Sequence, residues 1–379
     1  MINYLTENIL PFWLENAIDD EYGGIFTCLD RYGRVYGEEK SVWFQGRALY
    51  IFSAAYNHGI HRREYLEAAE KIFRFLPRCG DESGRMFFTV TRDGREMQKR
   101  RYYFSETFAA IGCCEYFLAT GNPVAKKMAE QYFDTAYSIY KNPSLTTPKY
   151  NPETVNFRAL SPAMIMLSTA QVMRKLDPKK YDPIAEESVQ EILIHLIDKG
   201  LLENIGPNGE FIDTPMGRTI NPGHSLEAAW FLMVQGEIRD DDSLLPVAKE
   251  IIDISMEKGL DDGGIIAFCD CNGHPASSLE WDMKLWWPQC EAIIANRMYA
   301  ALTNDEKYYR QYEKLKEYAF THFADTKYGE WYGYLHYDNT VASTAKGNIF
   351  KGPFHLPRML MVLDKIENYL AENKKLIVI

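Results

Sequence analysis

Tyr22-Gly23-Gly24-Ile25-Phe26, followed by Asp30-Arg31-Tyr32-Gly33, is the first copy of a phrase that decides the fold. It returns as Ser83-Gly84-Arg85-Met86-Phe87 before Asp93-Gly94, and as Asn208-Gly209-Glu210-Phe211. Two more copies are Asp262-Gly263-Gly264-Ile265-Ile266 before Asn272-Gly273, and Tyr328-Gly329-Glu330-Trp331 before Asp338-Asn339. Each reads as a small β-hairpin in which glycine, Asp or Asn takes the turn backbone at low cost. The copies recur at intervals of about 60 residues, apart from one double interval of 125 between Gly84 and Gly209 (209 − 84). That interval is centred on the Pro/Thr-rich loop Asn142–Pro152, where the hairpin of the remaining repeat is expected.

Helical patterning fills the space between the phrases. Apolar residues recur at i, i+3 and i+4 over Val42–Asn57, Arg63–Leu76, Phe104–Thr120, Ala125–Tyr140, Pro162–Leu176 and Ala185–Ile197. The same period runs through Leu226–Gly236, Ser243–Lys258, Lys284–Leu302, Lys307–Phe323 and Arg358–Asn373. Helix pairs of fixed period build either an open solenoid or a closed ring. Long connections that carry aromatics, all on one side, favour the ring. The expected fold is all-α: an (α/α)6 barrel of six helical hairpins, with short β-hairpins in its connecting loops and a cleft over its mouth. It forms one domain, residues 1–379, without a linker.

Composition narrows the function classes. No signal peptide or apolar run of about 18 residues is apparent, so no membrane is expected and the protein reads as cytoplasmic. With 42 basic and 53 acidic side chains the net charge is −11, which disfavours nucleic acid but not a neutral sugar. Seven cysteines without a CxxC pair read as reduced thiols. The dinucleotide, P-loop, zincin and serine-hydrolase motifs are all missing.

Polar groups gather at helix starts. In Asn221-Pro222-Gly223-His224-Ser225-Leu226-Glu227, Asn221 is a preferred N-cap and Pro222 suits the first helical position. His224 then lies in the first turn, where the helix dipole disfavours imidazolium, so a neutral base is expected with Glu227 available to orient it. Arg47 shares a helix face with Trp43, and a buried guanidinium there needs a carboxylate or a substrate oxygen. Leu279-Glu280-Trp281-Asp282-Met283-Lys284-Leu285-Trp286-Trp287-Pro288-Gln289-Cys290-Glu291 sets three indoles among charged groups, a combination suited to sugar rings. His355 stands between Pro353 and Pro357, which stiffen the backbone that aims it. Glu106, at the capped start Arg101–Glu106, reads as structural, and Asn156 and Arg158 precede a further helix.

Five phrases together resemble the N-acylglucosamine 2-epimerase family nearly end to end. They are Trp43-Phe44-Gln45-Gly46-Arg47, Asn221–Ala228, Glu280–Pro288, Tyr328-Gly329-Glu330-Trp331 and Phe350–Arg358. The resemblance implies an (α/α)6 barrel, in agreement with the repeat count. It also implies interconversion of N-acetylglucosamine and N-acetylmannosamine, relatives acting on cellobiose or mannose. His224 and His355 would be the acid/base pair, and Arg47, Glu227 and Glu291 would bind substrate or assist ring opening. Trp43, Lys284 and Trp287 complete the expected substrate contacts. No metal and no cofactor is called for. Some animal members respond to nucleotides, so ATP is retained only as an allosteric activator, without a glycine-rich phosphate loop here to hold it. A homodimer is expected on the resemblance alone. The rival readings are an aldose–ketose isomerase on one base, an (α/α)6 glycoside hydrolase using Glu227 and Glu291, and a non-enzymatic solenoid.

Overall fold

The computed structural model describes every residue except 100, 101, 149, 373–375 and 377–379. The chain begins as helix: α1 (Ile2–Tyr4) passes through a π-helical turn, Leu5–Ile9, into α2 (Leu10–Asn16). Then follow α3 (Val42–Asn57), α4 (Arg63–Phe75), α5 (Phe104–Thr120), α6 (Pro123–Lys141), α7 (Ser161–Met173) and α8 (Pro178–Ile194). The remainder is α9 (Pro222–Arg239), α10 (Leu245–Gly259), α11 (Trp286–Thr303), α12 (Glu306–His322) and α13 (His355–Glu372).

Two kinds of helix alternate, and patterning tells them apart. In α4 the buried residues Tyr65, Ala68, Ala69, Ile72 and Phe73 form one stripe, the signature of a helix with a wet face. In α11 every residue from Pro288 to Ala300 is buried. A helix buried on all sides has to stand inside. Accordingly α3, α5, α7, α9, α11 and α13 form a closed inner ring, each touching the next and α13 returning to α3. The outer members α4, α6, α8, α10 and α12 pack on them, and the N-terminal helical stretch backs α13. This is the (α/α)6 barrel anticipated from the repeat.

Ring closure has a polar bolt. Trp13 Nε1 donates to Glu330 Oε2 at 2.7 Å, and Lys351 Nζ meets the other oxygen at 3.1 Å. Asp325 accepts from Lys346 at 3.0 Å and from Arg31 at 2.7 Å. These pairs fasten the start of the chain to the loop that enters α13. They also explain the N-terminal helix, which sequence patterning passed over: its partners lie some 300 residues away.

The inner ring is not evenly packed. A Cβ on Gly46 of α3 would come within 2.4 Å of the Phe108 backbone carbonyl carbon, and one on Gly112 of α5 within 2.5 Å of the Gly46 oxygen. The two glycines therefore let α3 and α5 cross at backbone contact, and no space opens between them.

Connections from inner to outer helix are short turns; those from outer to inner are long and collect at the N-terminal ends of the inner helices. There they zip together in small antiparallel ladders: Lys40–Ser41 with Thr89–Val90, Arg158–Ala159 with Asn204–Ile205, Thr219–Ile220 with Cys269–Asp270, and Met283–Leu285 with Tyr334–His336. The result is a collar around one mouth of the barrel.

Some expectations are corrected. The loop Asn142–Pro152 shows no hairpin among its described residues; it holds a 3-10 turn, Pro143–Leu145, and Lys149 lies outside the description. Pro143, Pro148 and Pro152 lack the N–H a ladder needs, so this connection pairs later, through Arg158–Ala159. The helix expected from Lys284 starts at Trp286, because Met283–Leu285 is a collar strand. α8 begins seven residues earlier than patterning indicated, at Pro178, and accommodates Pro183 within its early turns. Asn373, the expected end of the last helix, and Arg101 both lie outside the described residues.

Candidate active site

The collar surrounds a cavity of about 280 Å³ at the N-terminal ends of the inner helices. Trp43, Arg47, His224 and Glu227 are in its wall, together with Arg358, Tyr50 and residues of α5 and α7. Glu291, His355 and Trp287 are not wall residues; they join it from the α11–α13 side through short contacts.

His224 is placed as its local sequence dictates. Asn221 caps α9, its side chain accepting from the His224 amide at 3.1 Å, with Pro222 at the first helical position. The imidazole Nδ1 lies 2.9 Å from Glu203 Oε1. A carboxylate only accepts, so Nδ1 carries the proton and Nε2 is left for the cavity. Trp287 lies against both histidines, its ring centroid 5.1 Å from that of His224 and 5.6 Å from that of His355. Gly223 makes this approach possible: a Cβ there would sit 2.7 Å from the Trp287 ring.

His355 opens α13 and is 7% exposed. Its Nδ1 lies 2.7 Å from Glu291 Oε1, which again leaves Nε2 uncommitted. Glu291 is fully buried and also accepts from Trp230 Nε1 at 2.8 Å. Arg358 ties the cluster together. Its Nη2 donates to Glu291 Oε1 at 2.7 Å and Glu227 Oε1 at 2.6 Å, and lies 3.3 Å from His355 Nδ1. Glu227, Glu291 and His355 bring ligand-type atoms within 4.8 Å of one another, a spacing that could hold a metal ion. The guanidinium Nη2, bonded to both carboxylates, already fills the centre of that group.

The two imidazoles are driven apart electrically. Burial pulls His224 down, but the Glu203 carboxylate, with Glu227 and Glu291 behind it, outweighs burial and raises its pKa above the ordinary histidine value. His355 is pushed well below that value by burial and by the positive charges of Arg358 and Arg47. The shift runs opposite to the one expected from the helix dipole alone. A helix terminus is worth about 0.3–1 kcal/mol, whereas a unit charge at 4 Å is worth about 4 kcal/mol at an effective dielectric of 20. The carboxylate wins over the dipole. Orienting the imidazole, one of the two tasks expected of Glu227, falls to Glu203, while Glu227 binds Arg358.

Glu203→Gln keeps an acceptor and removes the charge. We expect the His224 pKa to fall, which an NMR titration of its ring protons will read. The alkaline limb of activity, set by the group that has to stay protonated, then moves to lower pH.

Arg47 has no carboxylate within ion-pair distance among the described residues, and its Nε lacks a hydrogen-bond partner. Four aromatic faces hold it instead: the guanidinium carbon is 3.9 Å from the Phe108 centroid, 4.6 Å from Phe354, 5.2 Å from Phe44 and 5.6 Å from Trp43. Burial lowers its pKa to about 9 against the pull of Glu227. It is an under-compensated cation facing a cavity.

Lys284 does not belong to this site. It is fully buried on the collar strand, where Nζ bonds Asp261 Oδ2 at 3.0 Å, the Tyr337 carbonyl at 3.1 Å and Asn339 Oδ1 at 3.1 Å. On a strand its side chain points opposite to those of Met283 and Leu285, into the loops. Trp281 of the same segment is 54% exposed, away from the cavity, while Trp286 packs edge-on to His355. Glu106 is structural as expected, accepting from Arg85 Nε at 2.6 Å and the Met86 amide at 2.9 Å. Arg158 pairs with Glu191 rather than entering the cavity. Sequence reading missed Arg358 and Glu203. Arg358 had a signal, lying three residues after His355 on one helix face. Glu203 had none, since the collar brings it to His224 from 21 residues upstream.

Comparisons with known proteins identify the family and match the fold. The family described as N-acylglucosamine 2-epimerase (GlcNAc 2-epimerase) matches residues 24–351. The N-acylglucosamine 2-epimerase of Bos taurus is 35% identical over 381 residues, covering 97% of this chain and 90% of that protein. That of Homo sapiens is 33% identical, covering 95% and 88%. In three dimensions the cellobiose 2-epimerase of Spirochaeta thermophila superposes with a TM-score of 0.84 at 21% identity, covering 97% of this chain and 96% of that one.

Proposed function

Since this chain belongs to the N-acylglucosamine 2-epimerase family, we propose that it interconverts N-acetyl-D-glucosamine and N-acetyl-D-mannosamine with His355 and His224 as the proton-transferring pair. The observation that carries the mechanism is the electrical asymmetry of the two imidazoles. Burial and the neighbouring cations hold the His355 pKa well below the ordinary histidine value, which suits it to take a proton, while the carboxylates around His224 raise its pKa, which suits it to give one. Environments that push two titratable groups apart in this way assign base and acid.

Ring opening exposes the C1 aldehyde, which acidifies the C2 proton. His355 Nε2 removes it, and negative charge develops on the enolate oxygen. Arg47 supplies a preorganised positive charge there, a contribution typically of about 3 kcal/mol. His224 Nε2–H returns a proton to the opposite face of C2, which inverts that centre. In the reverse reaction the roles exchange. Glu203 and Glu291 hold the two rings by their Nδ1 atoms, and Glu227 or Glu291 shuttles the proton of ring opening. Every transfer runs between side chain and sugar, so the reading calls for no metal or cofactor, and ATP enters only as an allosteric activator. A cavity of about 280 Å³ lies just below the roughly 300 Å³ at which ligand sites begin, a size on the scale of one sugar ring. A cytoplasmic location is supported by seven cysteines that are all free thiols. Homodimer formation is part of the same reading and rests on the family resemblance.

The test is N-acetylglucosamine incubated with the protein in heavy water and followed by NMR. N-acetylmannosamine carrying deuterium at C2 is the expected product. A ketose product would identify an isomerase, and an epimer that keeps its original C2 proton would overturn the two-base scheme.

A further inference from the structure

The cavity wall is chemically divided. Arg47, His224, Glu227 and Arg358 come from α3, α9 and α13, whereas α5 and α7 contribute no charged group to it. Their surface is made by Phe104, Phe108, Ile111, Met164, Ile165 and Val172, with hydroxyls only at the α7 positions Ser161, Ser168 and Thr169. Backbone contact at Gly46 and Gly112 closes the α3–α5 seam, so the space opens beyond α5 towards α7.

We propose that this α5–α7 wall receives the acyl group carried by the C2 nitrogen, and that Met164 and Ile111 set the length of acyl chain the protein accepts. The proposal rests on the reading that the substrate is an N-acyl hexosamine. It follows from matching polarity. An N-acyl sugar carries one apolar end, the acyl methyl, on a body covered with hydroxyls. Sugar hydroxyls laid against Ile111 and Met164 would lose their water without gaining partners, whereas a methyl group gains by leaving water. The amide needs a partner beside that surface, and α7 has one. Ser168 Oγ and Thr169 Oγ1 both donate to the Ile165 carbonyl, so each oxygen keeps acceptor capacity for an amide N–H. Met164 is 4% and Ile111 7% exposed, so neither can swing out of the way into solvent.

Met164→Ala and Ile111→Ala should enlarge this end of the site. The readout is kcat/KM for N-acetyl, N-propanoyl and N-butanoyl glucosamine. A methylene in an apolar pocket changes discrimination by about 10–200-fold, so the N-butanoyl to N-acetyl ratio should rise at least about tenfold in an enlarged variant. Variants that stay active with the wild-type ratio would overturn the assignment. A second measurement needs no altered pocket. With methyl-labelled methionine in the wild-type protein, the bound acetyl methyl should show a nuclear Overhauser contact to the Met164 methyl, a signal identified by its loss in Met164→Leu. Contact only to groups of α11 or α13 would place the acyl group elsewhere and sink the idea. Wild-type protein that turns over none of the three N-acyl sugars would instead count against the proposed function.

Discussion

His355→Asn is expected to lower epimerisation by about 10²–10⁴-fold, the range of a lost general acid or base. Asparagine keeps an N–H donor for Glu291 but has no nitrogen that can take up a proton from C2, so the loss reports chemistry more than collapse of the site. His224→Asn should cost a similar factor. The two variants are then distinguished by exchange with heavy water. A protein with one base left can remove the C2 proton of the one epimer that presents it to that base, and solvent deuterium returns on the same face. Each variant should therefore wash deuterium into one sugar only, and the two variants into opposite sugars. NMR of each epimer incubated separately gives the answer. Exchange of the same epimer by both variants would show that the histidines do not work on opposite faces.

Arg358→Leu should have the largest effect on stability. Its Nη2 is bonded to both Glu227 and Glu291, so the variant leaves two neighbouring carboxylates without their shared cation, one of them fully buried. Removing one partner of a buried ion pair costs about 3–5 kcal/mol. Thermal unfolding should show this as a clear fall in Tm. The variant should also move the pH dependence. Arg358 is one of the charges that depress His355, so its loss lets the His355 pKa rise. The base is then protonated at higher pH, and the acid limb of activity shifts upward, the opposite limb from that moved by Glu203→Gln. Stability follows the same linkage. In the wild-type protein the unfolded chain binds a proton at His355 below about pH 6.5 while the folded chain does not. The contribution is therefore present above that pH and is lost as pH falls towards the depressed folded value. In Arg358→Leu this acid-side loss should shrink.

The barrel was legible because its signal is local. Glycine and Asp/Asn turns punctuate the chain every 60 residues or so, and backbone conformation at a turn is decided by the residues in it. The N-terminal helix was overlooked and the Asn142–Pro152 hairpin wrongly expected. The first depends on Glu330 and α13 far along the chain, and in the second three prolines outvote the period. His224 and His355 were identifiable because a cap and two prolines aim them from beside themselves in sequence. Lys284 was misassigned because charge among tryptophans looks alike whether it serves a sugar or a collar.

What the sequence determined by itself is the architecture and the kinds of chemical group gathered at one end of it: six helix pairs, a mouth, two histidines, an arginine and two glutamates. Tertiary structure alone decided the direction in which each histidine's pKa moves and which wall of the cavity carries no charge. Those properties come from groups gathered in space that are apart in the chain, as Glu203 is from His224, Arg47 from His355, and Met164 from Ile111. Electrostatic energy and desolvation depend on distance through space, and a linear sequence does not state that distance.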